Sequence, residues 1–176
     1  MKSLPAQEIK VTPFVDLETY MLLSGNKRIS GDLAERIESG WQWVFRYLQA
    51  YRLGERKGYL VLWLKPEIET ELDRVREQDP DWAEELHIIA QCVIMATMLE
   101  ILPECGHQSC APLPEPNKVL KRSLSPLGLE YRNDGTLNLR FGVVTPLPYR
   151  GECEECYLKD GCSKRIMQSP QATWTV

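Results

Sequence analysis

Three cysteines crowd one short segment, Gly151-Glu-Cys153-Glu-Glu-Cys156-Tyr-Leu-Lys-Asp-Gly161-Cys162. A C-x2-C pair lets the backbone curl so that two thiolates face one ion, and a bound ion lowers the thiol pKa and holds the thiolate form. Cys162 follows Cys156 after five residues and closes the same loop, with Gly161 permitting the bend. The fourth donor must come from elsewhere in the chain. Cys105 and Cys110 are the obvious sources, and His107 is a further donor. The sixth cysteine, Cys92, lies in an apolar helical stretch and reads as core.

Two metals suit such a set. Zinc takes four nitrogen or sulfur ligands in a tetrahedron. A [4Fe–4S] cluster takes four thiolates around a larger cube. Zinc sites more often carry two C-x2-C knuckles, whereas here a compact triplet has a remote partner, which favours the cluster over zinc. The triplet with one distant cysteine resembles the cluster-binding cysteines of iron–sulfur nucleases that act in CRISPR adaptation and recombinational repair. It also resembles the first part of the SPASM auxiliary-cluster motif of radical enzymes. Either resemblance spans about ten residues and implies a cluster rather than an activity. Neither a PD-(D/E)XK nuclease core nor a C-x3-C-x2-C radical motif accompanies it.

The remaining residues narrow the chemistry. Glu84-x-x-His87 and Glu104-x-x-His107 match the Glu-x-x-His pattern of di-iron bundles, but Pro103 and Gly106 break the second. Walker, Rossmann and Gly-x-Ser-x-Gly fingerprints are absent, and no nucleophile–base pair can be assembled, so whether the chain is an enzyme stays undecided. A run of Lys118, Lys121, Arg122, Arg132 and Arg140 keeps nucleic-acid binding open as a weaker reading, although the net charge of −4 excludes a chain that coats nucleic acid. Residues 65–104 carry 11 acidic and 3 basic side chains, a solvated face or a dock for a basic protein partner.

With 43% hydrophobic and 26% charged residues, the 176-residue chain is neither disordered nor fibrous. Met1 to Lys10 lacks the apolar core of a secretory signal, and the apolar run Leu86–Leu102 is too polar to span a membrane. The expected compartment is a reducing cytoplasm, where disulfides are rare and clustered cysteines point to a metal.

The elements that position these residues follow from periodicity. Asp16 starts a short helix that Gly25 stops. Ser30 caps a helix to about Leu53, with Leu33, Ile37, Trp41, Val44, Leu48 and Tyr51 at spacings of three and four. Tyr59–Leu64 is a short apolar run, strand or helical turn. Pro66 opens a helix rich in early glutamates, and Asp79-Pro80 starts another that Pro103 ends. Residues 103–126 read as a Pro-rich connector. Alternation at Leu129 and Tyr131, then at Leu137, Leu139, Phe141 and Val143, flanks Asn133-Asp134-Gly135 and predicts a β-hairpin.

The expected fold is therefore α+β. An N-terminal bundle of about four helices, residues 1–104, precedes residues 105–176, which hold the connector, the hairpin and a Cys-rich metal-binding loop packed on the helices. The expected function is that of a cytoplasmic cysteine-ligated metalloprotein. Its [4Fe–4S] cluster would have a structural or redox-sensing role. The alternative is a zinc-stabilised adaptor or nucleic-acid-binding module without redox activity.

Overall fold

The computed structural model describes residues 2–106, 110–151 and 156–162. Its centre is an antiparallel sheet in the order β1 (Ala6–Glu8), β2 (Leu48–Leu53), β3 (Gly58–Leu64) and β4 (Gly142–Leu147). The turn between β2 and β3 is tightly built. Gly54 has φ 88°, and a Cβ on Gly58 would lie 1.7 Å from the Leu53 carbonyl oxygen. The Arg52 guanidinium donates to the carbonyls of Gly54 and Glu55 and holds the turn closed.

Alternation along the strands divides the apolar residues between two faces. Ala50, Leu60, Leu62 and Leu64 face one layer of helices: α2 (Gly31–Phe45), α3 (Glu67–Gln78) and α4 (Pro80–Ile101). Leu53, Val61, Trp63 and Val144 face the other side, where α5 (Lys118–Leu124) brings Leu120 and Leu124 and the following loop brings Leu129 and Leu137. The register pairs Leu62 with Val143 on the first face and Val61 with Val144 on the second. The short helix α1 (Leu17–Ser24) lies against α4.

Four of the five helices begin where a short polar side chain accepts a free backbone N–H, and α3 follows Pro66 instead. Asp16 accepts from Thr19, Ser30 from Leu33, Asp79 from Trp82 and Asn117 from Leu120, at 2.9–3.3 Å. Helices α2 and α4 approach closely at Gly40, where a Cβ would meet Ile89 Cδ1 at 2.7 Å.

The α+β class stands, while four expectations change. Helix α2 stops at Phe45 and residues 48–53 are strand β2. The helical part is a layer lying on a sheet and not a bundle of its own, because residues 1–104 supply three of the four strands. The hairpin around Asn133-Asp134-Gly135 shrinks to a single bridge, Tyr131 to Leu137, and its second arm continues into β4, which pairs with β3. The connector holds α5, an element its prolines conceal. No helix among the described residues is long and apolar enough to cross a membrane.

Candidate metal centre

The described cysteines fall into two environments. Cys92 is 1% exposed within the helical core, and burial pushes its thiol up to about 12, which leaves it an inert core residue. Cys105 ends a 3-10 turn, Pro103–Cys105, and is buried in the same core beside Leu102. Burial, then the charges of Glu104 and Cys110, raise its pKa. Cys110, Cys156 and Cys162 are all partly exposed. Cys153 and His107 lie outside the described residues.

The connector and the C-terminal loop meet through a short series of polar contacts. The Leu113 N–H donates to Cys156 Sγ at 3.5 Å, and the Tyr157 N–H returns to the Leu113 carbonyl at 2.8 Å. The Thr145 hydroxyl, fully buried on β4, donates to the Pro112 carbonyl at 3.0 Å. The Tyr149 hydroxyl donates to the Cys110 carbonyl at 3.3 Å. Residues 110–113 are thus fastened to β4, to the segment after it and to the cysteine loop. Within that loop the Lys159 N–H bonds to the Cys156 carbonyl at 3.2 Å and the Gly161 N–H to the Leu158 carbonyl at 3.1 Å, so the chain curls between Cys156 and Cys162.

Tyr157 lays an aromatic ring against the rest of the fold. A Cβ on Gly135 would sit 2.7 Å from Tyr157 Cε1, so the ring lies over the turn that Gly135 makes with φ 81°. Asp134 shapes that turn by accepting from both the N–H and the hydroxyl of Thr136, bonds that lower its pKa.

Chain reach limits the Cys110 Cα to within about 10 Å of the Leu113 Cα, three residues away. The sequence pointed to Cys110, Cys156 and Cys162, and the fold brings the strands of chain that carry Cys110 and Cys156 together. It does not gather a complete set: among the described residues, no three His, Cys, Asp or Glu side chains converge closely enough to hold an ion. Sequence reasoning missed Leu113, Thr145, Tyr149 and Tyr157. Leu113 acts through its backbone alone, so no residue-type signal could have revealed it.

The other candidates disperse. His87 is half-buried, its ring 5.1 Å from that of Phe141, with Nε2 3.3 Å from Gln91 Nε2, while Glu84 faces solvent. Desolvation lowers the His87 pKa. The basic run is likewise split. Lys118, Lys121 and Arg122 sit on α5, whereas Arg132 is occupied by the Asn138 carbonyl at 2.9 Å and Arg140 is drawn to Asp73 at 3.7 Å. The Tyr131 hydroxyl is buried with no hydrogen-bond partner among the described residues, and burial raises its pKa.

The chain matches no family model, and neither a curated protein nor a solved structure is significantly similar to it.

Proposed function

We propose that this chain is a cysteine-ligated metalloprotein in which Cys110, Cys153, Cys156 and Cys162 hold a [4Fe–4S] cluster that fastens the C-terminal loop to the connector. The observation that carries the reading is the paired contact at Leu113, whose N–H meets Cys156 Sγ while its carbonyl accepts from Tyr157. The donor set fits on two counts. Cys110, Cys156 and Cys162 are partly exposed and open to an incoming ion, and Cys156 already accepts a hydrogen bond that suits a thiolate. Cys105 fits less well as the fourth ligand, since its sulfur lies in the core and its pKa is raised. When bound, a cluster supplies one-electron redox chemistry and a covalent brace between two loops. The chain's own part is to offer the Leu113 N–H to Cys156 and to rest the Tyr157 ring over Gly135.

Anaerobic purification tests the reading. A brown protein absorbing near roughly 400 nm, with iron and sulfide in equal amounts, is the expected result. A colourless protein carrying one zinc supports the zinc-stabilised adaptor instead. Cys→Ser changes at 153, 156 and 162 should abolish metal retention. If neither metal copurifies nor can be reconstituted, and these changes leave stability intact, the proposal fails. A redox-sensing role requires that residues 145–162 become more sensitive to protease on cluster loss; equal sensitivity removes that role.

A further inference from the structure

A second candidate site lies on the sheet face opposite the helical layer. Lys57 at the β2–β3 turn, Lys118 at the start of α5 and Arg150 beyond β4 line one open cavity of about 320 Å³ with Leu4, Tyr59, Asn117 and Val119. Among the described residues no carboxylate lines it, although the whole chain carries a net charge of −4. None of the three cations is ion-paired with a described residue; the salt bridges found engage Arg36, Arg74, Arg76 and Arg140. Three like charges gathered in one concavity repel one another, and an anion relieves that repulsion.

The three elements that present these cations are each fixed before any ligand arrives. The Arg52 guanidinium ties down the turn that carries Lys57, and Gly58 admits no side chain there. The α5 end is held by the Leu4 N–H donating to Ser123 Oγ at 2.8 Å, while Ser123 itself bonds to the Val119 carbonyl. Arg150 follows β4, which is paired along β3. Asn117 caps the Leu120 N–H at the start of the seven-residue α5, and the full positive charges at the cavity are those of the three side chains. Leu4, Val119 and the Tyr59 ring give the remaining wall an apolar and aromatic character.

We propose that this cavity binds a small organic phosphate, a mononucleotide-sized molecule. Its phosphate lies among Lys57, Lys118 and Arg150, and its ring rests on the wall formed by Tyr59, Leu4 and Val119. The volume is at the low end of the about 300–1,000 Å³ typical of ligand clefts, which suits one phosphorylated ring rather than a dinucleotide. The lining residues are distinct from the proposed cysteine ligands, so either proposal can fail alone.

Isothermal titration of the full chain, in phosphate-free buffer, with adenosine monophosphate, inorganic phosphate and adenosine tests this. The expected order is monophosphate tightest, phosphate weaker and adenosine weakest, with one site per chain. The Lys57→Gln/Lys118→Gln/Arg150→Gln variant should lose at least about tenfold in affinity. A control, Lys10→Gln/Lys27→Gln/Arg28→Gln, removes the same charge from exposed positions elsewhere and should lose less than about twofold. Circular dichroism of both variants confirms that they fold. No heat with the monophosphate up to millimolar levels overturns the site, as do equal losses in the two variants or adenosine binding as well as its phosphate. A single-stranded oligonucleotide that binds far more tightly than the monophosphate, with a steep salt dependence, also overturns it and marks the face as a backbone-tracking surface instead.

Discussion

The sheet with its helical layer and the cysteine-bearing loops are held together by different kinds of force. In the first region, β2, β3, α2, α3 and α4 enclose Leu60, Leu62, Leu64, Ile68, Leu72 and Ile89 with almost no exposure. Three strand ladders and close helix contacts make this region one cooperative block. In the second region, residues 110–113 and 156–162 meet β4 and its extension through a handful of single hydrogen bonds and one ring over a glycine. Burial is worth roughly 25 cal/mol per Å² of apolar surface, whereas each hydrogen bond is worth about 1 kcal/mol net. The first region therefore folds on its own interior, and the second is the part a bound ion would secure.

The comparison breaks most visibly in the core. Leu62 sits fully buried on the central strand, opposite Val143 and under the helices. Leu62→Ala should cost about 2–5 kcal/mol by lost burial and a residual cavity. Urea denaturation followed by circular dichroism measures it, and metal removal should leave that cost unchanged. A cost below about 1 kcal/mol would mean that the central strand is not the seat of stability.

The loops should respond locally and more weakly. Thr145→Val leaves the Pro112 carbonyl without its donor, and an unmet buried acceptor costs about 1–3 kcal/mol. Tyr157→Ala removes the ring from Gly135 and should lower global stability by under about 1 kcal/mol, since Tyr157 is 49% exposed. Limited proteolysis should nevertheless cut residues 151–162 several-fold faster in the Tyr157 variant. An unchanged cleavage rate would show that the ring does not hold the loop.

The same contrast explains what could be read from the chain. Helices α3 and α4 were legible because Pro66 and Asp79-Pro80 mark their starts by chemistry local to each end. Strand β2 was not, because both faces of the sheet are covered. Leu48 and Ala50 join one core while Tyr51 and Leu53 join the other, so the expected alternation is lost and the spacing imitates a helix. Neither glycine nor proline separates Phe45 from Leu48 to signal the change. The turn at Asn133-Asp134-Gly135 was legible, but its ladder was not, since Leu129, Leu137 and Leu139 serve the second core and only one bridge forms. The cysteines stood out by type and spacing, whereas the contacts around Cys110 and Cys156 come from backbone groups and from Thr145, Tyr149 and Tyr157, which carry no pattern.

The weakest effect is expected inside the first region, at a contact between a helix and the lead into the sheet. His87 lies on α4, yet its ring packs on Phe141, the residue that leads into β4. Its Nδ1 is buried with no hydrogen-bond partner among the described residues, and Nε2 faces the Gln91 amide nitrogen. With that amide donating, Nε2 accepts, and protonating it would set two donors face to face until the amide turns over. Desolvation is the largest cause of the lowered pKa and outweighs the nearby Glu84, with Arg140 and Arg76 adding to the lowering. A histidine whose folded pKa is depressed takes up its proton more readily when unfolded. Its contribution is thus present above the unfolded value of about 6.5 and is lost as pH falls through that value toward the folded one. Stability should therefore decline from pH 7.5 to 5.5 more steeply in the parent chain than in His87→Phe, which keeps the contact with Phe141 and removes the proton. Thermal melts of the two across that range give the difference directly. Parallel curves would show that His87 is uncoupled from folding, and that the contact between α4 and the lead into β4 is carried by apolar packing alone.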